Sequence, residues 1–553
     1  MPEYLAPGVY VEEIGSGIKP IMAASTGTTG FVGQTERGPL TATMLTSWGD
    51  YQRTYGELTH PLLSYTSHAI RGFFENGGQR AIVARVVRAD AGAPASLLLA
   101  TSSTQQLRLE AIGPGAFGNR IFARISSTSQ QRFCLTLLYY RTAPPLPLVD
   151  PLDRNNLYHP LRREADLIES FDNLDVLSLD PLISINSRSQ LVRAQWHHLS
   201  LPPAAPTPSA LNPLALGSDG TAAPSAETYI GTSTQVEHRR GLALLEAIDE
   251  ISLLAIPDEV HGSISTAARN TIRGAIIHQC ETLHDRFGIL QIEDNRSDIA
   301  QISANHDSSY AAIYYPWIRV YDPLQSDAVK IPACGHIAGI FARTDTERGV
   351  HKAPANALLR GILTTDLADG RGPLEYSLND LQQETLNARG INVIRDFRSQ
   401  DRGVRVWGAR TLSSHPEWRY ISVRRLQLFL EQSINNSSQW LVFETNNEPT
   451  WERLRLSINN FLNDIWRSGA LQGNTPTQAY FVRCDSSTMT QDDINNGRLT
   501  CLVGIAAIKP AEFILFSIHQ QTAQPKQTAQ PSPQRSIKPN IRLTRSARRW
   551  SKR

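Results

Sequence analysis

Three glycines with the spacing of a nucleotide-binding loop are the first feature that could do chemistry. Gly113, Gly115 and Gly118 satisfy GxGxxG, and the strand-like run LRLEAI precedes them. In a dinucleotide site such glycines open a helix, because the helix N-terminus holds the pyrophosphate. The run that follows here, NRIFARI, alternates and is β-prone. We therefore interpret the glycines as a turn between two strands.

A second candidate is the thiol of Cys334 beside the imidazole of His336. Two residues apart, they would share one face of a strand and could act as a nucleophile and its base. Catalytic pairs of this kind usually draw their members from distant segments. The preferred interpretation is a buried thiol beside a hydrogen-bonded histidine.

A third pattern hints at calcium. Asp366, Asp369 and Gly370 resemble the start of a calcium loop, but the twelfth position falls on Ser377, where such a loop needs a glutamate. A polar surface loop is the better interpretation.

The wider motif search finds no other site. The sequence has no GxSxG, no GxxxxGK[ST], no histidines at i, i+4 and no CxxC pair. We expect no catalytic residue, no cofactor and no metal ion, and an α/β enzyme with an unrecognised site is the alternative of a different class. The cysteines, which we expect to be reduced and mostly buried, are Cys134, Cys280, Cys334, Cys484 and Cys501.

The elements around these residues alternate between strand and helix, which predicts a mixed α/β fold, and 553 residues exceed what one core usually organises. The predicted elements are a helix at about 62–74 between strands GFVG and AIVARVV, a helix at about 239–249, strand SLLAIP, a helix at about 267–283, strand GILQI, a helix opening at Ser377, strands INVIRDF and VRVWGARTL, helices at about 421–434 and 449–468, and strand LTCLVGIAAI.

Composition divides the chain into five parts. Residues 88–230 form a β-rich insertion, because strand-like runs there are separated by segments rich in Pro, Ala and Ser. The other parts are an N-terminal arm at 1–20, a middle α/β domain made of 21–87 with 231–376, a C-terminal core domain at 377–520 and a disorder-prone basic tail at 521–553.

The two ends of the folded part carry strands without local partners. An unpaired strand can complete a sheet in another subunit, so both ends are candidates for strand exchange. The residues concerned are Val9, Tyr10, Val11, Glu12 and Glu13 in the arm, and Phe513, Ile514, Leu515, Phe516, Ser517 and Ile518 near the C-terminus.

The helix at 449–468 has an apolar stripe at helical spacing, which predicts a core-facing side. The stripe consists of Trp451, Leu454, Ile458, Phe461, Ile465 and Trp466.

Charge is unevenly distributed. Residues 526–553 contain nine Lys or Arg and no Asp or Glu, which leaves 45 basic against 52 acidic residues in the rest of the chain. The tail is either a solvated appendage or a contact for an anionic surface such as lipid, nucleic acid or an acidic partner.

Longer blocks of the sequence resemble the contractile tail sheath family. PGVYVEEI near the start, GFVGQTERGP at 30–39, RGFFENGGQRAIVARV at 71–86 and the block at 314–357, which contains ACGHIAGIFARTDTERGV, carry the likeness. Their order and spacing follow the family pattern, which is more specific than one short motif. The family occurs in phage tails, R-type bacteriocins and extracellular injection systems.

The resemblance implies a mechanical protein. It implies a protomer that polymerises as a helical cylinder of stacked hexameric rings around an inner tube, and that contracts to drive the tube through a target envelope. The implied partners are further copies of the chain, the inner tube protein, and baseplate and terminal cap proteins, with no small-molecule substrate. A paralogous sheath or tube-initiating protein of the same machine is the competing interpretation.

The resemblance also assigns positions. It implies that the terminal strands are exchanged between neighbours, that residues 88–230 face outward, and that the helix at 449–468 contacts the inner tube through Glu452, Arg453 and Arg455. We expect assembly in the cytoplasm, because the N-terminus lacks a secretory pattern and no apolar run approaches the ~18 residues that cross a bilayer.

The basic tail should be dispensable for polymerisation, because its composition is disorder-prone and it lies beyond the sheath pattern. A chain stopped after His519 is expected to form tubes that electron microscopy detects. Exclusively monomeric protein from this truncation would show that the tail takes part in the assembly.

Overall fold

The computed structural model describes residues 19–102, 105–127, 132–175, 180–197, 206, 208–231 and 239–512. Its strands are β1 (Thr28–Gly33), β2 (Thr43–Leu45), β3 (Arg80–Arg85), β4 (Ser96–Ser102), β5 (Gln105–Ala111), β6 (Ile121–Ser127), β7 (Arg132–Tyr139), β8 (Leu167–Asp175), β9 (Val192–His197), β10 (Ser209–Pro213), β11 (Leu253–Ala255), β12 (Phe287–Gln291), β13 (Ala311–Tyr315), β14 (Ile318–Asp322), β15 (Asp327–Ile331), β16 (Ala357–Leu358), β17 (Ile391–Asp396), β18 (Val404–Val406), β19 (Tyr480–Arg483) and β20 (Leu502–Ile505).

The helices between these strands confirm the predicted mixture of α and β structure. They are α1 (Trp48–Tyr55), α2 (Thr66–Glu75), α3 (Asp180–Arg188), α4 (Ala226–Ile230), α5 (Gly241–Leu244), α6 (Thr266–Leu283), α7 (Cys334–Arg348), α8 (Asp380–Ala388), α9 (Ile421–Ser438), α10 (Glu448–Arg467), α11 (Pro476–Ala479) and α12 (Gln491–Asn495).

A nine-stranded sheet forms the centre, in the order β16-β18-β17-β13-β12-β11-β1-β3-β2. The six strands from β17 to β3 pair in parallel, and the short strands at both edges pair antiparallel. Every residue of β1, β11, β12 and β13 is buried. Burial on both faces explains why these strands are continuous apolar runs in the sequence instead of alternating ones.

Helices cover both faces of this sheet. Helices α1, α2, α7 and α9 pack on the face that carries Phe31, while α5, α6 and α8 pack on the face that carries its neighbour Val32. Successive side chains of a strand point to opposite faces, so β1 contributes to both cores. The result is a three-layer arrangement with two separate hydrophobic cores.

Strands β4 to β10 form two further antiparallel sheets, β4-β5-β9 and β10-β6-β7-β8. Their inward side chains, among them Leu107, Leu135 and Tyr139, form a third core together with Ile185 of α3. The candidate GxGxxG lies here, and residues Ala116–Arg120 form a short 3-10 turn between β5 and β6. The turn interpretation is therefore confirmed.

Two local predictions are wrong in extent. The helix expected at 239–249 is limited to α5. Beyond it, the guanidinium of Arg286 donates hydrogen bonds to the carbonyl oxygens of Leu245 and Ile248, at 2.8 and 3.1 Å, in place of the amides of a continuing helix. The strand expected over VRVWGARTL is only β18. Beyond β18, the side-chain amide of Asn392 forms two hydrogen bonds with the backbone of Arg410, in place of the backbone hydrogen bonds that a longer strand would form.

The pair Cys334 and His336 begins helix α7, so the assumption of a strand was wrong. Both side chains are buried, but two residues along a helix turn them to different sides. Neither ring nitrogen of His336 has a hydrogen-bond partner among the described residues. The buried thiol is confirmed, and the predicted hydrogen bond of the histidine is not formed.

Close packing against α2 explains the two glycines in the segment CGHIAGIF. A Cβ on Gly335 would overlap the backbone of Ala69, and one on Gly339 would overlap the backbone of Phe73. Gly335 and Gly339 are four residues apart on one side of α7, so α2 approaches the helix backbone itself. The segment is therefore a helix-packing sequence.

Two buried histidines lie close to this helix contact. Nε2 of His68 is 3.1 Å from the carbonyl oxygen of Thr59 and 4.0 Å from a carboxylate oxygen of Asp322. Burial lowers the pKa of His68 to about 4, although the Asp322 charge partly opposes the shift. Burial, with a smaller contribution from His68, lowers the pKa of His336 to about 3. Both rings are therefore neutral in the folded protein at neutral pH.

Gly339→Ala should destabilise the protein by about 1–3 kcal/mol, because overpacking at the α2–α7 contact outweighs the better helix propensity of alanine. Gly274→Ala in α6 is the matched control, since no atom lies within 4 Å of the added Cβ. The control should be stabilising by about 0.5–1 kcal/mol. Urea denaturation measures both, and equal effects would contradict the close-packing explanation.

Acid should destabilise the fold through these histidines. Their folded pKa values lie below the ordinary 6.5, so below that pH the unfolded chain binds more protons, and stability falls as pH falls from 6.5 toward the folded values. The expected loss at pH 5 relative to pH 8 is about 2 kcal/mol per histidine. In urea denaturation, His336→Gln should reduce this pH dependence and the exposed His415→Gln should not. An unchanged dependence in His336→Gln would assign it to other groups.

Candidate assembly surfaces

The C-terminal part of the described chain has a core of its own, built on α9 and α10. Leu426 and Leu430 of α9 meet the apolar stripe of α10 and the segments that follow it. The predicted stripe is confirmed: Trp451, Leu454, Ile458 and Phe461 are buried, and Ile465 and Trp466 are partly buried against the same core. The side chain of Asn447 caps the start of α10 by accepting from the amide of Thr450 at 3.2 Å.

A buried ion pair joins this part to the central sheet. The guanidinium of Arg425 in α9 donates to both carboxylate oxygens of Asp345 in α7, at 2.8 and 2.6 Å, and to the carbonyl of Thr26 at 2.7 Å. Both side chains are almost fully buried. Burial raises the pKa of Asp345 even though Arg425 opposes the shift. This geometry fixes α9, α7 and the entry to β1 relative to one another.

The first described residues run along α9. The amide of Ala24 donates to Ser433 Oγ and the amide of Met22 to Ser437 Oγ, each at 2.9 Å. The two serines are one helical turn apart, so the segment follows the helix axis. The ammonium of Lys19 lies 5.2 Å from the ring of Trp440. The N-terminal segment therefore reaches the end of α9.

Strands β19 and β20 form a two-stranded antiparallel sheet on this core. Tyr480 pairs with Ile505 and Val482 with Val503, and the hydroxyl of Tyr480 donates to the carbonyl of Asn459 in α10 at 3.2 Å. Within the described ranges, these two strands have no other strand neighbour. Each four-residue strand thus keeps one long side available for further pairing.

The outer face of this hairpin exposes two large apolar side chains beside Arg483. Phe481 is 51% exposed and Leu502 is 49% exposed. The ring of Phe481 covers Gly504 on the opposite strand, where a Cβ would overlap it. A two-stranded hairpin with an exposed apolar face is marginal in water, and additional strands or a covering surface stabilise it.

The predicted tube-contact residues lie at the start of α10 but do not form one patch. Glu452 and Arg455 pair at 2.6 Å on the solvent side. Arg453 instead donates to Thr450 Oγ1 at 3.1 Å and lies 5.5 Å from the ring of Trp440.

Both proposed exchange strands, Val9 to Glu13 and Phe513 to Ile518, lie outside the described residues, as does the basic tail. The sequence did not predict two features of the described residues, the edge of the hairpin and the serine contacts on α9. Both join residues distant in the chain, with no local signal beyond the apolar run around Leu502.

The crevice where α/β sheets usually bind ligands is occupied by the chain's own carboxylate. Strand order reverses between β1 and β11, and such a switch point is the usual ligand site. Here Asp258, which follows β11, accepts from the amide of Tyr65 at 2.7 Å, from the hydroxyl of Ser64 at 2.9 Å and from the amide of Gln34 at 3.2 Å. Burial raises the pKa of Asp258. These contacts anchor the start of α2 to the sheet.

The candidate calcium loop has its carboxylates engaged by arginines. Asp366 pairs with Arg398 at 2.7 Å, and Asp369 pairs with Arg371 at 2.5 Å. In the part of the chain that the structure describes, no group of three or more His, Cys, Asp or Glu side chains is arranged to hold a metal. Among the same residues, no helix has the length and apolarity to cross a membrane.

Solved structures with this fold include sheaths of contractile particles. The helical sheath of the anti-feeding prophage in its contracted state is 26% identical, with a TM-score of 0.55, and the match covers 94% of this chain and 100% of that one. The contracted sheath of the PVC extracellular contractile injection system has the same fold, with a TM-score of 0.54 at 22% identity over 94% of this chain and 99% of that one.

Sequence comparison also finds tail sheath proteins. The phage tail sheath protein central domain matches residues 234–412, and the phage tail sheath C-terminal domain matches residues 413–521. A putative prophage major tail sheath protein of Pseudomonas aeruginosa is 25% identical over 55% of this chain and 76% of its own length. The tail sheath protein of Burkholderia phage BcepMu is 28% identical over 32% of this chain and 37% of its own length. The chain therefore belongs to the phage tail sheath protein family and is a structural subunit of a contractile sheath.

Proposed function

We propose that the chain polymerises as a helical cylinder around an inner tube and contracts to drive that tube through a target envelope. The similarity to a sheath in the contracted state supports this role. A similar chain belongs to the baseplate of the anti-feeding prophage, at 26% identity and a TM-score of 0.54, so the proposed partners are further copies of the chain, the inner tube and the baseplate. Assembly takes place in the cytoplasm, before the particle is released.

The observation that carries the proposal is the open hairpin of β19 and β20. Its strands have unpaired sides among the described residues, and its outer face carries Phe481 and Leu502. A sheet of this size gains stability when further strands join it, because each new strand adds backbone hydrogen bonds and covers apolar surface. We assign the hairpin as the acceptor of strands from neighbouring subunits.

The donors in this proposal are the strands at the two ends of the chain. Residues 14–18 separate Glu13 from Lys19, and such a link spans at most about 20 Å when extended. That length carries the Val9–Glu13 strand from the end of α9 to a subunit in direct contact. The Phe513–Ile518 strand follows directly after the segment whose Ile508 amide bonds the Ala470 carbonyl at 3.3 Å. Both donors therefore leave from the part of the chain that holds the acceptor.

The remaining assignments follow from this arrangement. Residues 88–230 are an outward-facing insertion, supported by their own core around Leu135 and Tyr139. Residues 21–87 with 231–376 form the middle domain, and 377–520 the C-terminal domain, which is completed by exchanged strands. Glu452 and Arg455 contact the inner tube, since their pair is exposed to solvent, while Arg453 supports the contact from the side of Trp440.

Contraction in this proposal needs no nucleotide at the firing step. Subunits assembled in an extended arrangement release free energy when they rotate into better packing, and strands shared between neighbours keep the cylinder linked. A strand joined by backbone bonds tolerates rotation of the subunit that donates it if the connecting residues are extended. The proposal assigns residues 14–18 as this connection.

Val11→Pro should abolish tube formation without lowering the melting temperature of the monomer. Proline removes one ladder donor and fixes φ within the donated strand, and the small loss recurs at every subunit of the cylinder. Val11→Thr is the control, because it keeps the amide and the β preference. Electron microscopy of the product and thermal melting of the monomer are the measurements.

Two results would contradict the exchange. Normal contractile tubes from Val11→Pro would exclude pairing through this strand. A lowered melting temperature of the monomer would show that the arm packs within its own subunit.

A further inference from the structure

Two cysteines flank the loop end of the β19–β20 hairpin, one after each end of the ladder next to the connecting loop. The ladder pairs Tyr480 with Ile505 and ends at Arg483 with Leu502. Continuing the same register by one residue sets Cys484 against Cys501. Directly opposed residues of antiparallel strands have Cα atoms about 4.5–5.5 Å apart, which lies within the range of disulfides.

Their side chains also point to the same side. Cys484 follows Val482 by two residues and Cys501 precedes Val503 by two, so both thiols lie on the face that packs against the α9–α10 core. Cys484 is buried in that core and Cys501 is partly buried at its margin. Each thiol shifts the pKa of the other, downward for Cys484 and upward for Cys501, because the two sulfurs lie near one another in the reduced protein.

The other cysteines have no such neighbour. Cys280 and Cys334 belong to the two cores on opposite faces of the central sheet, and Cys134 lies on β7, where its strand partner is Ser126. A thiol with a second thiol in contact can form a disulfide without moving the backbone, whereas an isolated buried thiol cannot.

We propose that Cys484 and Cys501 form a reversible disulfide that closes the hairpin when the protein meets an oxidising medium. The oxidant is a low-molecular-weight disulfide such as oxidised glutathione. The proposal assigns a modification site to the hairpin, and its consequence for the sheath rests on the proposed function above.

The chemistry is two successive thiol–disulfide exchanges. Cys501, the more exposed thiol, loses its proton to solvent and attacks the small disulfide, which forms a mixed disulfide and releases one small thiolate. Cys484 then loses its proton and attacks the Cys501 sulfur, and a second small thiolate leaves. The two protein thiols are oxidised to one disulfide, and one small disulfide is reduced to two thiols. The neighbouring Cys484 thiol and burial raise the pKa of Cys501, so the first exchange becomes faster as the pH rises.

The disulfide would join the end of β19 to the start of β20. It would close the loop that contains α12 and would fix the register of the sheet that we assign as the strand acceptor. A reducing compartment keeps the pair open, and an oxidising exterior closes it. Closing the acceptor after release would make the assembled sheath harder to take apart.

The first experiment uses the purified full chain, reduced and then incubated with oxidised glutathione. Free thiols are alkylated, and peptides are mapped by mass spectrometry without reduction. The expected result is simultaneous loss of alkylation at Cys484 and Cys501, with a peptide that links the two and lacks two hydrogen atoms. Cys484→Ser should leave Cys501 as a stable mixed disulfide, whereas Cys280→Ser, the matched buried control, should leave the linked peptide unchanged.

Continued alkylation of both cysteines after oxidation would overturn the proposal, as would a linked peptide between either of them and Cys134. A second measurement separates the site from its role in the sheath. Assembled tubes, oxidised or kept reduced, are exposed to increasing urea and imaged. Oxidised tubes should persist to higher urea than reduced tubes, and Cys501→Ser tubes should show no difference. A linked peptide without this difference would establish the disulfide and refute its effect on the assembly.

Discussion

The buried ion pair between Asp345 and Arg425 is the constraint on which the assembly surfaces depend. It ties α7, in the layer beneath the central sheet, to α9, which carries the N-terminal segment on one side and the core of α10 on the other. Loss of one partner leaves an unpaired buried charge, which costs about 3–5 kcal/mol in comparable pairs. The third bond of the guanidinium, to Thr26, holds the chain entering β1. One guanidinium thereby holds α9, α7 and the entry to β1 together.

The central sheet and the β19–β20 hairpin differ in the length of their edge strands. The central sheet ends in β16, of two residues, and β2, of three, and edges that short offer little for another chain to pair with. The hairpin of β19 and β20 keeps a side of four residues open on each strand. Exposed edges are a liability in a monomer and an advantage in a polymer, where neighbouring strands cover them. This difference supports the proposal that strands of neighbouring subunits pair with the hairpin.

Sequence alone predicted the elements whose signal is local. The predicted bounds of helices α6 and α10 agree with the structure to within about two residues, and in the structure each helix begins at a capping side chain, Ser265 and Asn447. The central strands were found because burial on both faces leaves an apolar run. The predictions failed where a distant group overrode the local pattern, as Arg286 does at α5 and Asn392 does after β18. Asp345 and Arg425 are 80 residues apart, so no spacing rule could pair them.

The packed central layers and the open hairpin edge differ in how easily they can rearrange. The close packing of α2 on the glycines of α7 fixes the central layers. Two buried carboxylates add to this: Asp258 accepts from the backbone at the start of α2, and Asp345 of α7 pairs with Arg425 of α9. Such contacts are costly to break, and well-packed cores do not deform continuously. Such cores favour motion of the protomer as a body. In the proposed mechanism the free energy is then released at surfaces between protomers, and the shared strands keep neighbouring protomers linked.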